Sequence, residues 1–121
     1  MARVLIVDDS PTELHILKVI LEKGGYLTLS ATNAAEGISL AKTERPDLIL
    51  MDVVMPGANG FQATREITKD PATAHIPVIL ITNKNQETDK VWGMRQGAKD
   101  YLVKPVQEAD LLAKVKAAMG K

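Results

Sequence analysis

The chain contains no cysteine, and it has no excess of charge of either sign. The absence of cysteine excludes disulfides, thiolate metal ligands and a cysteine nucleophile, and it is consistent with a reducing compartment. Lysine plus arginine equal aspartate plus glutamate at 15 each, so the sequence offers no basic field to gather nucleic acid or anionic lipid. Any binding of anions must therefore depend on a local site.

Long apolar runs are also missing. No unbroken apolar stretch approaches the roughly 18 residues that a membrane-spanning helix needs. A signal peptide is not expected either, because Asp8 and Asp9 interrupt the N-terminal segment at once. We therefore expect a cytoplasmic protein that binds neither membrane nor nucleic acid. The length of 121 residues suits one domain around one hydrophobic core.

Short apolar runs alternate five times with segments of helical period. This alternation predicts repeated strand–helix units around a parallel sheet, and hence an α/β fold. The predicted strands cover residues 4–7, 27–31, 48–51, 78–81 and 101–103. The predicted helices cover residues 11–23, 34–43, 60–69, 86–96 and 108–119.

The first helix has the clearest start signal. Ser10 is a favoured N-cap, Pro11 suits the first turn, and Glu13 completes the pattern of a capping box. The ends of later helices are marked by Pro46 and Pro71, which disfavour helical backbone in the residue before them. These signals are local, so they predict where helices lie and not how they pack.

The burial pattern of the strands predicts their order. The second strand alternates apolar and polar residues, which is typical of a half-exposed edge strand, whereas the third and fourth are continuously apolar and belong in the middle. With right-handed crossovers, these positions favour a doubly wound, flavodoxin-like sheet of order 2-1-3-4-5 with five helices. In that order the ligand crevice lies beyond the carboxyl ends of strands one and three.

Three acidic residues stand at those two strand ends. Asp8 and Asp9 follow the first strand, and Asp52 follows the third. Two unit charges about 4 Å apart repel by roughly 4 kcal/mol at an effective dielectric near 20, so the cluster needs a cation or a shared proton. Helix capping is the alternative role for the acidic pair, but Ser10 already provides a cap. Oxygen ligands without sulfur suit Mg²⁺, and Mn²⁺ could substitute.

The fourth and fifth strands end in residues that extend this site. Thr82 follows the fourth strand, and Lys104 and Pro105 follow the fifth. Each has an ordinary alternative role, as a strand residue or a solvated charge. Beside a metal and a lysine, however, the Asp52 carboxylate could attack phosphorus and form an acyl phosphate while the cations offset the transferred charge. The spacing leaves both isomers of the bond before Pro105 open.

These residues together resemble the receiver domain of two-component response regulators, and the resemblance extends over essentially all 121 residues. Asp8 and Asp9 resemble the acidic metal pair of that family. Asp52, in the run Leu-Met-Asp-Val-Val-Met-Pro-Gly, resembles its phosphoacceptor. Thr82 resembles its switch hydroxyl, and Lys104 resembles its lysine, which is followed there by a cis peptide bond.

The resemblance implies a mechanism. A histidine kinase would donate the phosphoryl group to Asp52, with Mg²⁺ held by Asp8, Asp9, Asp52 and the backbone carbonyl of Val54. The resemblance implies one receiver domain over residues 1–121 without an output domain. It also implies a signalling phosphoacceptor that catalyses only its own phosphorylation and dephosphorylation, not an enzyme for an outside substrate.

Signalling in this family implies a change of surface. Thr82 would move toward the phosphoryl oxygens and Tyr101 would turn inward, changing the face of strands four and five and helices four and five, where a downstream protein would bind. The alternative role of Tyr101 is edge packing with its hydroxyl in water. Trp92, the only tryptophan, lies on the helix expected to signal; packing is the more usual role for such a residue, and partner contact is the alternative.

Two residues are expected to affect the lifetime of the phosphorylated state. Val54 and Lys84 stand two positions beyond Asp52 and Thr82, beside the path of a hydrolytic water. We hypothesise that the apolar Val54 positions that water poorly and slows the loss of phosphate.

Other functions remain open from the sequence. A phosphate sink that drains the kinase would use the same residues, and so would a receiver that signals without phosphorylation. A flavodoxin-like electron carrier would need a hydroxyl- and glycine-rich phosphate loop where Asp8 and Asp9 stand. An aspartate-nucleophile phosphohydrolase usually carries a second catalytic aspartate at the position occupied by Val54.

Overall fold

The structure is a computed structural model, and it describes residues 2–55, 59–83 and 87–120. Strands and helices alternate along the chain in the expected sequence. The strands are β1 (Arg3–Val7), β2 (Leu27–Ala31), β3 (Leu48–Asp52), β4 (Val78–Thr82) and β5 (Asp100–Val103). The helices are α1 (Pro11–Lys23), α2 (Ala34–Glu44), α3 (Gly60–Lys69), α4 (Glu87–Arg95) and α5 (Glu108–Ala118).

All five strands are parallel and form one sheet in the order β2-β1-β3-β4-β5, which confirms the predicted topology. The register sets β3 and β4 so that Asp52 lies opposite Ile81. Thr82 therefore lies one residue beyond Asp52 on the neighbouring strand. This register brings the polar strand ends to one edge of the sheet.

The apolar strand residues divide between two core layers, because successive side chains of a strand point to opposite faces. Leu5 and Val7 belong to the layer that α2 and α3 cover, whereas Val4 and Ile6 belong to the layer that α1 and α5 cover. β3 and β4 are buried along their whole length, as the continuous apolar runs predicted. The alternation expected in β2 is only partly realised, since Leu27 is exposed and Ala31 is buried.

The helix boundaries agree closely with the local signals. α3 has the predicted bounds, and α2 ends at Glu44, just before Arg45, whose φ of 47° is left-handed. Gln86, expected to begin helix four, lies outside the described residues, as does Lys84. No described helix combines the length and the apolar character that crossing a bilayer requires.

Candidate functional site

Asp8 is held between a helix start and a lysine. It is 1% exposed, its Oδ1 accepts a hydrogen bond from the backbone N–H of Ser10 at 2.9 Å, and its Oδ2 lies 2.9 Å from Nζ of Lys104. The Ser10 hydroxyl caps α1 by accepting from the N–H of Glu13 at 3.3 Å. In a capping box the side chain of Glu13 would accept a hydrogen bond from the backbone N–H of Ser10, but Asp8 accepts that bond instead. The aspartate that we assigned to metal binding therefore also orders the turn before α1.

Asp9 and Asp52 complete an acidic cluster with Asp8. One carboxylate oxygen from each of the three lies within 4.8 Å of the others. Asp9 is exposed and Asp52 is 7% exposed, so the cluster opens to solvent on one side. The predicted convergence of these strand ends therefore exists in the fold.

Lys104 joins the two buried carboxylates. Its Nζ lies 2.9 Å from Oδ2 of Asp8 and 3.8 Å from Oδ2 of Asp52, with its side chain 9% exposed. Its backbone N–H donates to the carbonyl of Thr82 at 2.8 Å, and the bond that joins it to Pro105 is a cis peptide. The lysine thus reaches across the carboxyl ends of β5, β3 and β1.

The charges at this edge act on one another. Burial and, next, repulsion by Asp8 raise the pKa of Asp52 to about 6, although Lys104 and the N–H of Val54 act in the opposite direction. Burial alone would lower the pKa of Lys104, but its hydrogen bond to Asp8 and the nearby carboxylates outweigh burial and raise it. Burial and the nearby Asp8 carboxylate therefore make the ionised form of Asp52 unfavourable unless more positive charge is supplied.

A divalent ion meets that requirement. The donor set of Asp8, Asp9 and Asp52 contains only oxygens, which are the ligands that Mg²⁺ and Mn²⁺ favour. Lys104 supplies one positive charge against three carboxylates, so further charge compensation is needed. The residues present therefore fit a hard divalent cation.

The two predicted switch residues lie on adjacent strands. Thr82 is fully buried at the end of β4, and Tyr101 is 7% exposed within the core layer of α2 and α3. Burial and, next, the charge of Asp89 raise the pKa of the Tyr101 hydroxyl to about 12. The ring therefore packs against the core, and the inward turn of Tyr101 on phosphorylation stays a prediction.

Val54 borders the site on the solvent side. The residue is 56% exposed, and its backbone N–H donates to Oδ1 of Asp52, with the nitrogen 3.4 Å from that oxygen. The role of its carbonyl as a metal ligand stays a prediction. Lys84, its expected counterpart beyond Thr82, lies outside the described residues.

Two glycines near the site were not found from the sequence. A β-carbon at Gly60 would overlap the carbonyl oxygen of Asp52 and lie 2.8 Å from Cα of Val53. A β-carbon at Gly93 would lie 2.5 Å from Cδ1 of Leu80. The only available signal was a glycine inside each predicted helix, which is otherwise unfavourable.

Trp92 lies beside Gly93 but faces outward. The expectation that it is packed is wrong, because the residue is 51% exposed. Gly93 lets α4 approach the sheet closely, and the neighbouring indole is left at the surface.

The comparisons with known proteins agree with this geometry. The chain belongs to the response regulator receiver domain family, whose model matches residues 4–116. Among curated proteins it is similar to PilH of Pseudomonas aeruginosa, with 60% identity over 120 residues that cover 99% of each chain. It is also similar to the response regulator PleD of Caulobacter vibrioides, with 38% identity over 96% of this chain but only 26% of PleD.

Solved structures of receiver domains superpose closely on the fold. The receiver domain of the sensor histidine kinase PA1611 from Pseudomonas aeruginosa, which has a magnesium ion coordinated in its active site cleft, gives a TM-score of 0.91 at 28% identity and covers 99% of this chain and 98% of that one. The chemotaxis protein CheY4 of Vibrio cholerae gives 0.91 at 30% identity and covers 98% of each chain. The chain is therefore a signalling receiver domain.

Proposed function

We propose that Asp52 accepts a phosphoryl group from a phosphohistidine of a histidine kinase. One carboxylate oxygen of Asp52 forms a bond to phosphorus as the bond between phosphorus and the histidine nitrogen breaks. The phosphohistidine ring reacts with a proton on its other nitrogen, so the products are an acyl phosphate and a neutral imidazole that keeps that proton. The observation that carries this proposal is the convergence of Asp8, Asp9, Asp52 and Lys104 at one edge of the sheet.

The site residues have distinct parts in this reaction. The fold places Oδ2 of Asp52 3.8 Å from Nζ of Lys104. The lysine ammonium offsets negative charge on the oxygens of the transferred phosphoryl group. Mg²⁺ or Mn²⁺, held by Asp8, Asp9, Asp52 and the carbonyl of Val54, supplies the remaining charge compensation. The chain thus promotes its own phosphorylation and dephosphorylation and acts on no outside substrate.

The signal is carried by a change of surface. Thr82 stands one residue beyond Asp52 in the register of the sheet, on the neighbouring strand. Movement of Thr82 toward the phosphoryl oxygens would alter the packing of Tyr101 and with it the face formed by β4, β5, α4 and α5. A downstream protein binds that face.

The identity to PilH supports a more specific role. At 60% identity over 99% of both chains, we assign this receiver to chemosensory signalling that controls type IV pili and twitching motility. The corresponding location is the cytoplasm, where the kinase domains of such systems act.

Phosphorylation is tested with acetyl phosphate and Mg²⁺. Phosphate-affinity gels and intact-mass measurement should show one added phosphoryl group in the wild type and none in Asp52→Asn. Asp110→Asn, an exposed substitution on α5, is the matched control and should be labelled like the wild type. Equal labelling of Asp52→Asn would place the acceptor elsewhere, and absence of labelling in the wild type would favour a receiver that works unphosphorylated.

A further inference from the structure

Three surface hollows lie in series along α3 and α4. The first, about 310 Å³, lies beside the end of β3, and Val54, Asn59 and Phe61 are among its walls. The second, about 350 Å³, shares Asn59 and Phe61 and extends to Trp92. The third, about 300 Å³, shares Trp92 and continues along α4 to Arg95. Because each pair of neighbours shares walls, we treat them as one groove, the α3–α4 trench.

Apolar side chains are exposed at both ends and in the middle of the trench. Val54 is 56% exposed, Trp92 51% and Val91 44%. Phe61, the only phenylalanine, forms the wall between the first two hollows. Exposed apolar residues gathered along one groove are typical of binding sites, and tryptophan is prominent among residues that anchor interfaces.

The packing of α4 does not account for the position of Trp92. The helix contacts the sheet through Gly93, where a β-carbon would lie 2.5 Å from Leu80 and 3.1 Å from Phe61. This close approach is complete without the indole. Trp92 is therefore available for another molecule.

Two of the three charged side chains in the described trench walls are arginines. Arg65 lines the second hollow and Arg95 the third, and neither guanidinium pairs with a carboxylate within the part of the chain that the structure describes. The side-chain carbonyl of Asn59 accepts the N–H of Gln62 at 2.8 Å, which leaves its NH₂ group as a donor. Glu87 is the one carboxylate among the described trench walls. The trench is thus apolar with net positive charge.

We propose that the α3–α4 trench binds an acidic segment of a protein partner. A large apolar side chain of that segment rests against Trp92 and Phe61, and its carboxylates pair with Arg65 and Arg95. An arginine fork binds a carboxylate with two parallel hydrogen bonds, which gives orientation as well as affinity. The trench lies on the flank of α4 that faces α3, so it is a separate surface from the face of β4, β5, α4 and α5.

The position of the trench connects a bound partner to the phosphorylation site. Its first hollow reaches Val54, two residues beyond Asp52. A β-carbon at Gly93 would lie 3.1 Å from Phe61 and 3.3 Å from Tyr101, so both rings lie close to this turn of α4. If phosphorylation of Asp52 changes the packing of Tyr101, the trench changes shape. By linkage, a segment bound in the trench must then favour either the phosphorylated or the unphosphorylated state of Asp52. This coupling rests on the proposed function, whereas binding itself does not require phosphate.

Selection from a displayed library of random peptides of about 12 residues tests the binding, with unphosphorylated protein as target and Trp92→Ala as counter-target. Enriched peptides should carry a large apolar residue with at least two acidic neighbours. A synthetic copy of one such peptide should lose affinity about tenfold or more with Trp92→Ala and several-fold with Arg65→Ala or Arg95→Ala.

Matched controls come from α1 on the other side of the sheet. Val19 is 40% exposed and Lys18 is exposed, so Val19→Ala and Lys18→Ala should change peptide affinity less than about twofold. Trp92→Phe should restore much of the binding. Far-UV circular dichroism of each variant shows whether the protein is still folded, so that lost binding can be assigned to the changed side chain and not to unfolding.

Several results would overturn the proposal. These are no enrichment over the counter-target, enriched peptides that are basic, or affinities that do not respond to Trp92→Ala in folded protein. A concentration-dependent dimer abolished by Trp92→Ala would assign the trench to a second copy of the chain instead. All these measurements use unphosphorylated protein, so failure of phosphoryl transfer to Asp52 would leave them intact.

Discussion

Helix α3 begins directly against the backbone of Asp52: the space where Gly60 would carry a β-carbon is filled by the carbonyl oxygen of Asp52. The N–H of Gly60 also donates to the carbonyl of Val53 at 2.8 Å. Gly60 thus packs against the backbone at the end of β3, where Asp52 lies. Backbone atoms, unlike a side chain, cannot rotate away to make room for a β-carbon.

We expect Gly60→Ala to destabilise the protein and slow phosphorylation. Replacing a helical glycine normally gains up to about 1 kcal/mol, but forcing a carbon into filled space costs about 1 to 3 kcal/mol, and here the neighbour is backbone. We therefore expect the steric overlap to outweigh the gain in helix propensity, so that Gly60→Ala lowers the free energy of unfolding. Urea denaturation measures the free energy of unfolding, and Ser39→Ala, an exposed change on α2, should stay within about 0.5 kcal/mol of the wild type. A stabilised Gly60→Ala would contradict this account.

Asp52→Asn should stabilise the metal-free protein at neutral pH. Burial and Asp8 raise the pKa of Asp52 from 3.8 to about 6, and each pKa unit corresponds to about 1.4 kcal/mol, so the ionised carboxylate costs about 2 to 3 kcal/mol. The asparagine variant removes this cost. Denaturation in EDTA at pH 7 measures the difference, with the exposed Asp110→Asn as the control.

The same comparison predicts a pH dependence. The folded protein holds the Asp52 proton more tightly than the unfolded chain, so the wild type loses stability relative to Asp52→Asn as pH rises from about 4 to about 6. Above that interval the carboxylate is ionised in both states and the difference stays constant. If the difference in stability between the wild type and Asp52→Asn grew as the pH fell, the pKa of Asp52 would not be raised in the folded protein.

Magnesium should raise the melting temperature of the wild type. At a free Mg²⁺ concentration about ten times the dissociation constant, linkage predicts about 1.4 kcal/mol of stabilisation, or about 5 °C. The increase should vanish with EDTA and in Asp8→Asn, and Mn²⁺ should also produce it. Asp110→Asn should respond like the wild type, and an equal response of Asp8→Asn would remove the acidic cluster as the site.

Val54→Asn should shorten the lifetime of the phosphorylated protein. The exposed valine offers no hydrogen bond to a water beside Asp52, whereas an amide can orient one, and such positioning is worth about tenfold or more in rate. Decay of labelled protein after removal of the phosphodonor measures the effect. Val54→Ala is the matched control and should not accelerate the decay; unchanged decay in Val54→Asn would end the hypothesis.

The site shows where sequence reasoning succeeded. Parallel strands end at a common edge, so a polar residue that follows an apolar run is placed by the strand order alone. That argument located Asp8, Asp52 and Lys104 together before any distance was known. It did not reveal that Asp8 divides its two oxygens between Ser10 and Lys104, because side-chain hydrogen bonding is not encoded in periodicity.

Trp92 shows where sequence reasoning failed. Helical period places a residue on a flank of its helix, but whether that flank is covered depends on the neighbouring helix. The fit of Gly93 against Leu80 and Phe61 decides this position, and these contacts join three separate elements.

The sequence by itself determined the alternation of strands and helices and the residues at each strand end, because these follow from local periodicity and capping. The order of the strands could also be predicted, because the apolar runs mark the central strands and crossovers are right-handed. Only the tertiary structure decided the 2.9 Å contact between Asp8 and Lys104, the closeness of Gly60 to Asp52 and the exposure of Trp92. Each of these depends on the separation of segments distant in the chain, which is set by the packing of the whole core and not by any local pattern.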